Sequence, residues 1–253
     1  MRAPVLAEDI AHLEEVAALG WPAPETRRLG GWLLRAGEGW TGRANSVLPL
    51  GEPDRPLDEA LDEVRDWYAR RGLAPRFQLP LPLCAALDAE LSDRDWSAYN
   101  PTLVRVAEVA AVRAAAPAVA ALPIPNLQAR PSRRWLAAYH YRGGRELPPV
   151  AARIMSAAVD PIFATVEVAG TVAGIARAVV DDGWCGITAL EILPDWRRRG
   201  VGRHLVGAVV SWAAGRGARR VYLQVAEDNG PAHAMYDRLG FVTSHRYHYR
   251  TPR

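Results

Sequence analysis

Asp195-Trp196-Arg197-Arg198-Arg199-Gly200-Val201-Gly202-Arg203 is the stretch on which the fold turns. Upstream, Ile187 to Leu193 is an apolar run bounded by Gly and Pro, the pattern of a buried strand. Downstream, Val201, Leu205, Val209 and Trp212 recur at helical spacing with Val206, Val210 and Ala213 beside them, and Gly215 and Gly217 stop the helix. The nine residues therefore join a strand to a helix start. Two glycines leave backbone amides unobstructed, the helix start adds partial positive charge and the arginines add full charge, a combination suited to a diphosphate. No Gly-Lys-Ser/Thr follows, and Arg203 to Leu205 supplies no third glycine, so neither the Walker nor the dinucleotide pattern is met. Nucleotide hydrolysis and hydride transfer are disfavoured.

Further along, Val221 to Ala226 reads as a short strand. Asn229-Gly230-Pro231 reads as an N-cap with proline in the first turn of a helix, with Ala232, Met235, Tyr236 and Leu239 on one face and Gly240 at its end. Phe241 to Arg250 alternates as a closing strand. These residues resemble the GNAT superfamily of acyl-CoA-dependent N-acyltransferases. Arg197, Gly200 and Gly202 fit its Arg/Gln-x-x-Gly-x-Gly/Ala signature, and Asn229, Ala232, Tyr236, Gly240 and Phe241 fit its later helix. The resemblance covers residues 118–253.

The resemblance implies acetyl-CoA, or another short acyl-CoA, as co-substrate in a cleft where two strands splay apart. Backbone groups of Ile192 and Leu193 would then pair with the pantetheine amides. Arg197 would head the diphosphate loop, with the amides of Arg198, Arg199, Gly200, Val201, Gly202 and Arg203 holding the diphosphate. Asn229 would lie beside the pantetheine arm, and Tyr236 would act as general acid on the departing thiolate. The chemistry independently needs such parts: a thioester is already activated, so the catalyst must align the amine, remove its excess proton and stabilise the thiol leaving group. Glu191, just before the pantetheine-pairing segment, is the leading candidate base, with strand alternation leaving its direction open; Glu167 is the reserve.

The first half shows a weak, sparsely matched repeat of the second at an offset of 144 to 145. Gly39-Trp40-Thr41-Gly42 recurs as Gly183-Trp184-Cys185-Gly186, Arg71-Gly72 meets Arg216-Gly217, Trp96 meets Phe241 and Arg105 meets Arg250. The expected elements follow the same order: a strand over Ala44 to Leu50, a helix through Leu57, Leu61, Val64 and Tyr68, a strand over Phe77 to Leu79, a helix over Leu83 to Leu91 and a closing strand over Leu103 to Val106. Extended segments precede each series: Gly31 to Arg35 in one, Phe163 to Val168 and Val172 to Val180 in the other. The fold class is thus α/β, a tandem GNAT-like arrangement of mixed, mostly antiparallel twisted sheets flanked by helices. Val112 to Pro125, rich in Ala and Pro, marks the boundary between domains 1–112 and 113–253. In the first domain the motif positions fall on Glu52, Arg55 and Leu57, Asn229 on Cys84 and Tyr236 on Leu91, so it reads as a degenerate partner without a cofactor motif.

Composition bounds the rest. The chain of 253 residues, 49% hydrophobic and 23% charged, is globular. All of its basic residues are arginine, with 12 against 18 acids in residues 1–112 and 19 against 10 in residues 113–253, so the second half should attract an anion. The acidic first half weakly favours a cationic amine acceptor. Cys84 and Cys185 form no CxxC, which disfavours disulfide and zinc readings. His204, His233, His245 and His248 read as ordinary surface or sheet histidines and no metal is expected; His140, in Tyr139-His140-Tyr141, lies where an acceptor-side helix would run. Charges at Glu8, Asp9, Glu14 and Glu15, and the interrupted run Val104 to Leu122, point away from a signal peptide and a membrane span and towards the cytoplasm. Dispersed tryptophans give nucleic-acid binding little support. The expectation is an N-acetyltransferase acting on a primary amine of a small molecule, as monomer or homodimer; the rival is a non-catalytic acyl-CoA sensor.

Overall fold

The computed structural model describes residues 7–140 and 146–253, without the side chains of Ala7 and Glu8; Tyr141 lies outside the described residues. The chain runs α1 (Ala7–Gly20), β1 (Glu25–Leu29), β2 (Trp32–Ala36), β3 (Leu48–Pro49), α2 (Leu57–Ala69), β4 (Phe77–Leu81), α3 (Ala85–Asp93), β5 (Trp96–Glu108) and α4 (Val109–Ala115). It continues through β6 (Asn126–Gln128), α5 (Arg133–Ala138), α6 (Pro149–Ser156), β7 (Ile162–Val168), β8 (Thr171–Asp181), β9 (Trp184–Ile192), α7 (Val201–Ala214), β10 (Arg220–Ala226), α8 (Gly230–Arg238) and β11 (Val242–Pro252). Two compact units result: Met1–Leu103 with Ser244–Arg253, and Val104–Thr243.

The series strand, strand, strand, helix, strand, helix, strand occurs twice, as β1 to β5 and as β7 to β11. Pairing repeats as well. In the first unit β1, β2 and β3 are antiparallel, and Val47 forms a parallel bridge to Phe77 of β4. In the second, β7, β8 and β9 are antiparallel and β9 runs parallel to β10. The expected α/β tandem fold is what the chain adopts. Where a strand over Ala44 to Leu50 is expected, only Leu48–Pro49 is strand. The side chain of Asn45 explains the loss: its Oδ1 accepts from the amides of Gly37 and Gly39 at 2.8 Å each, and its Nδ2 donates to Trp40 O and Thr41 O. A loop that satisfies its own backbone has no need of a neighbouring strand.

The units divide elsewhere than the expected 1–112 and 113–253. Val104 onwards of β5 belongs to the second unit and Ser244 onwards of β11 to the first, so each closing strand is finished among elements of the other sequence half. The repeated arginines account for it. Arg105 on β5 donates through Nη2 to Phe241 O at 2.6 Å and to Asp237 of α8 at 2.5 Å. Arg250 on β11 likewise donates through Nη1 to Trp96 O at 2.5 Å and through Nε to Asp88 of α3. One guanidinium thus ties down one carbonyl and one helical carboxylate in each unit, and Trp96 and Phe241 are themselves partners in the sequence repeat.

Each unit has its own core. In the first, α2 turns Ala60, Leu61, Val64, Trp67 and Tyr68 inward, the spacing of one helical face, and Phe77 packs edge-on between Trp32 and Trp96 at 5.1 and 5.5 Å. In the second, Trp135 of α5 meets Phe163 of β7 at 5.1 Å, and fully buried Arg177 donates from Nε to Met155 O at 2.7 Å. Val112 to Ala115, expected as linker, completes α4; the extended chain beyond is tied to α7 through His204, whose Nδ1 accepts from Val119 N and whose Nε2–H donates to Pro123 O. Among the described residues no helix is long and apolar enough to cross a membrane.

Two consequences can be measured. Arg105→Ala removes hydrogen bonds to charged and carbonyl partners at a buried position and should lower unfolding free energy in urea by about 2 kcal/mol. At Asp88, burial works against the carboxylate, but hydrogen bonds from Arg250 and His248 and their charge outweigh it and hold its pKa below the ordinary value. A depressed carboxyl stabilises the fold above about pH 4 and loses that contribution as pH falls through the folded value. Asp88→Asn should therefore flatten the acid limb of a melting-temperature against pH curve.

Candidate active site

β9 stays beside β8 for its whole length but beside β10 for four residue pairs only, Trp184–Ile187 against Arg220–Leu223. Burial changes at the same place: the first four residues of β9 are buried and Thr188 to Ile192 are half-buried. A bulge lies within this stretch. Between the pairs Arg177↔Thr188 and Ile175↔Glu191, β9 advances three residues and β8 two, and Ala189 takes φ +50°. Such an insertion bends a strand and re-aims the side chains beyond it. β9 thus peels from β10 and leaves part of its backbone edge in a gap.

Main-chain directions follow from the ladder. Leu193 N donates to Ala173 O at 3.1 Å, so Leu193 faces β8, and Ile192, one residue earlier, turns its amide to the gap. Leu193 O accepts from Trp196 N at 2.9 Å. Of the two residues expected to pair with pantetheine amides, Ile192 turns its amide to the gap, whereas the amide of Leu193 is used by the sheet.

Pro194–Trp196 forms one tight turn, and the loop then closes back on the strand through Arg197, whose Nε donates to Ile192 O at 3.2 Å. Gly200 caps α7 at φ +81°, a left-handed conformation that glycine enters without strain. The first helical bond is His204 N to Gly200 O, so the amides of Val201, Gly202 and Arg203 have no acceptor one turn back and point outward with the positive end of the helix. A Cβ on Gly202 would stand 2.9 Å from Met235 Sδ, so the bare glycine lets α8 close against the start of α7. Arg198, Arg199 and Arg203 are exposed, with Arg199 over the Trp196 ring at 5.1 Å.

Asn229 caps α8, its Oδ1 accepting from Ala232 N at 3.3 Å. Tyr236, on the same helix, is 7% exposed and packs on the Phe241 ring at 5.5 Å. Among the described residues nothing hydrogen-bonds its hydroxyl. Burial pushes the phenol well above its ordinary pKa, against the opposing charge of Arg105. Glu191 lies on the α5 side of the sheet, where both its oxygens meet His140: Oε2 accepts from the His140 amide at 2.7 Å and Oε1 lies 3.2 Å from Nδ1. The bulge settles the direction that alternation left open. Glu167 is committed elsewhere, to Arg134 at 2.9 Å.

The first unit lacks these features at the matching positions. Pro56 caps α2 and brings no amide, and Asp58 and Glu59 occupy its first turn, which repels an anion. The loop before it is filled by the β1–β2 turn: Gly31 N donates to Glu52 O at 2.7 Å, and a Cβ on Gly30 would fall 2.4 Å from Asp54 N. Cys84, in the place of Asn229, points its thiol at Pro49 O, and burial pushes that thiol up to about 12; Leu91, in the place of Tyr236, is core. His204, expected as a surface or sheet residue, is instead buried in α7, whereas His245 is a sheet residue as expected, buried in β11 and 2.8 Å from the carboxylate of Glu14.

A parted strand pair, a bare helix start behind a Gly-x-Gly turn and a buried tyrosine on the following helix define an acetyltransferase of the GNAT type. The chain belongs to the family described as "Probable histone acetyltransferase Rv0428c C-terminal", whose profile matches residues 7–250. It is 33% identical over 260 residues to the protein named Probable histone acetyltransferase Rv0428c of Mycobacterium tuberculosis, spanning 98% of this chain and 75% of that one. Among solved structures, a GCN5-related N-acetyltransferase from Kribbella flavida superimposes with a TM-score of 0.70 at 16% identity, covering 96% of this chain and 95% of that one. A tandem GNAT protein from the clavulanic acid biosynthesis pathway does so with a TM-score of 0.62 at 17% identity, over 98% and 89%.

Gly174 gives this arrangement a direct test. A Cβ there would sit 2.8 Å from Ile192 Cδ1, 3.0 Å from Val201 Cγ1 and 3.1 Å from Glu191 O. Gly174→Ala should cost about 1–3 kcal/mol in denaturant unfolding by overpacking the point where β8, β9 and α7 meet.

Proposed function

We propose that the second unit transfers the acetyl group of acetyl-CoA to a primary amine by direct attack on the thioester. This reading is supported by the Ile192 amide turned to the gap between β9 and β10, by the free amides of Val201 to Arg203 beside it, and by a buried Tyr236 on the following helix whose hydroxyl has no hydrogen-bond partner among the described residues. Acetyl-CoA supplies an acetyl group already activated as a thioester. Ile192 would pair with the pantetheine arm, and the amides of Arg198 to Arg203 would hold the diphosphate, with the arginine side chains adding charge. Asn229 fixes the start of the helix that carries Tyr236. The Tyr236 hydroxyl would give its proton to the departing sulfur, and proton removal from the amine falls to the Glu191 end of β9.

The acceptor reading is a small-molecule amine. A lysine side chain of a basic peptide is the second, favoured by the name of the mycobacterial relative, a probable histone acetyltransferase. A non-catalytic acyl-CoA sensor is the rival, and the retained, buried Tyr236 speaks against it.

Thiol release from acetyl-CoA across a panel of small amines, polyamines and histone-tail peptides tests the proposal. Turnover with one class names the acceptor; tight acetyl-CoA binding with no thiol released by any member supports the sensor. Tyr236→Phe should lower turnover by about 10² to 10⁴ while acetyl-CoA affinity by calorimetry holds. Near-wild-type turnover in that variant would remove Tyr236 from the mechanism.

A further inference from the structure

Both oxygens of Glu191 are engaged by one residue, His140, placed 51 positions earlier in the chain just after α5. The contact has two parts with different consequences. The main-chain N–H of His140 donates to Oε2 at 2.7 Å, which anchors the chain at the end of α5 to the parted end of β9. The ring Nδ1 lies 3.2 Å from Oε1. A carboxylate oxygen only accepts, so Nδ1 must carry the proton, and the lone pair of the neutral ring is left on Nε2. Among the described residues nothing hydrogen-bonds Nε2, and the ring is about one-third exposed, at 36%. Glu191 immediately precedes Ile192, whose amide faces the gap, so the imidazole stands within one hydrogen bond of the strand segment that lines it.

We propose that His140 is the general base of the transfer and that Glu191 is its positioning residue, holding the ring in the tautomer that presents Nε2 to the amine. The inference rests on the transferase reading above and moves proton removal from Glu191 to His140. An ordinary imidazole is a stronger base than an ordinary carboxylate by about two pKa units, and a carboxylate behind Nδ1–H fixes the ring's orientation and tautomer. In the step itself the amine nitrogen forms a bond to the carbonyl carbon and the carbon–sulfur bond breaks. An ammonium nitrogen sheds two protons on becoming an amide. Nε2 takes them in turn; one makes good the proton that Tyr236 gives to sulfur, and the other passes to water at the exposed ring edge.

The test compares His140→Ala, Glu191→Gln and the double variant with wild type in thiol release, and reads the imidazole tautomer of the free wild-type and Glu191→Gln proteins by nitrogen-15 NMR. His140→Ala keeps the main-chain anchor, so the loop stays attached, and turnover should fall by about 10² to 10⁴ with acetyl-CoA affinity unchanged and partial rescue by added imidazole. Glu191→Gln should cost less, shift the ring proton from Nδ1 to Nε2, and add little to His140→Ala in the double variant. A wild-type ring protonated at Nε2 alone overturns the inference, as does unchanged turnover in His140→Ala. So does a larger loss in Glu191→Gln than in His140→Ala, which returns the base to Glu191. The tautomer is read without any acceptor, whereas a wild-type chain that releases no thiol with any amine ends the transferase reading and this inference with it.

Discussion

Backbone amides that leave a sheet must find another partner, and β9 leaves β10 after four residue pairs. The candidate site is organised by that departure. The bulge at Ala189 turns Glu191 towards α5, and the ladder beyond it turns the amide of Ile192 into the gap. A few residues on, α7 starts with amides that likewise have no internal acceptor. Two sets of unsatisfied donors from elements adjacent in sequence therefore face one space. Gly174 and Gly202 make this possible, because a methyl group at either would collide with the neighbouring side chains.

The first unit carries the same topology with the vacancy removed. Where β9 parts from β10, its counterpart is a loop satisfied internally by Asn45, and only the Val47 bridge records the parallel pairing. The helix start that would attract an anion carries Pro56, Asp58 and Glu59. Its polar interior is spent on structure: fully buried Arg35 donates to Ser46 and Gln78, Gln78 donates to Glu14, and Glu14 meets His245. Buried charges arranged this way are costly to break and hold one packing, which suits a scaffold more than a ligand site.

Elements with strong local signals were legible. The stripe of Leu57, Leu61, Val64 and Tyr68, the apolar face of α7 and the Asn229-Gly230-Pro231 helix start each mark their helix to within a few residues of its observed bounds. Short helices leave weak signals: α4, α5 and α6 are stabilised by what they pack against rather than by their own sequence pattern. The strand over Ala44 to Leu50 failed because a side-chain hydrogen-bond network overrode β propensity. That the amide of Leu193 faces β8 and that of Ile192 the gap is not legible in the sequence, because a bulge changes which residues face which edge, and apolar runs do not reveal bulges.

From the sequence alone came the family signature, the loss of that signature in the first half, the glycines of the diphosphate loop and the candidacy of Tyr236 and Glu191. These are local matters of backbone freedom, charge and residue type at fixed spacing. Tertiary structure decided which unit each closing strand completes, through Arg105 and Arg250, and which residue stands behind Glu191. Pairings across dozens to more than a hundred residues depend on how the chain is packed, and no local pattern carries that information.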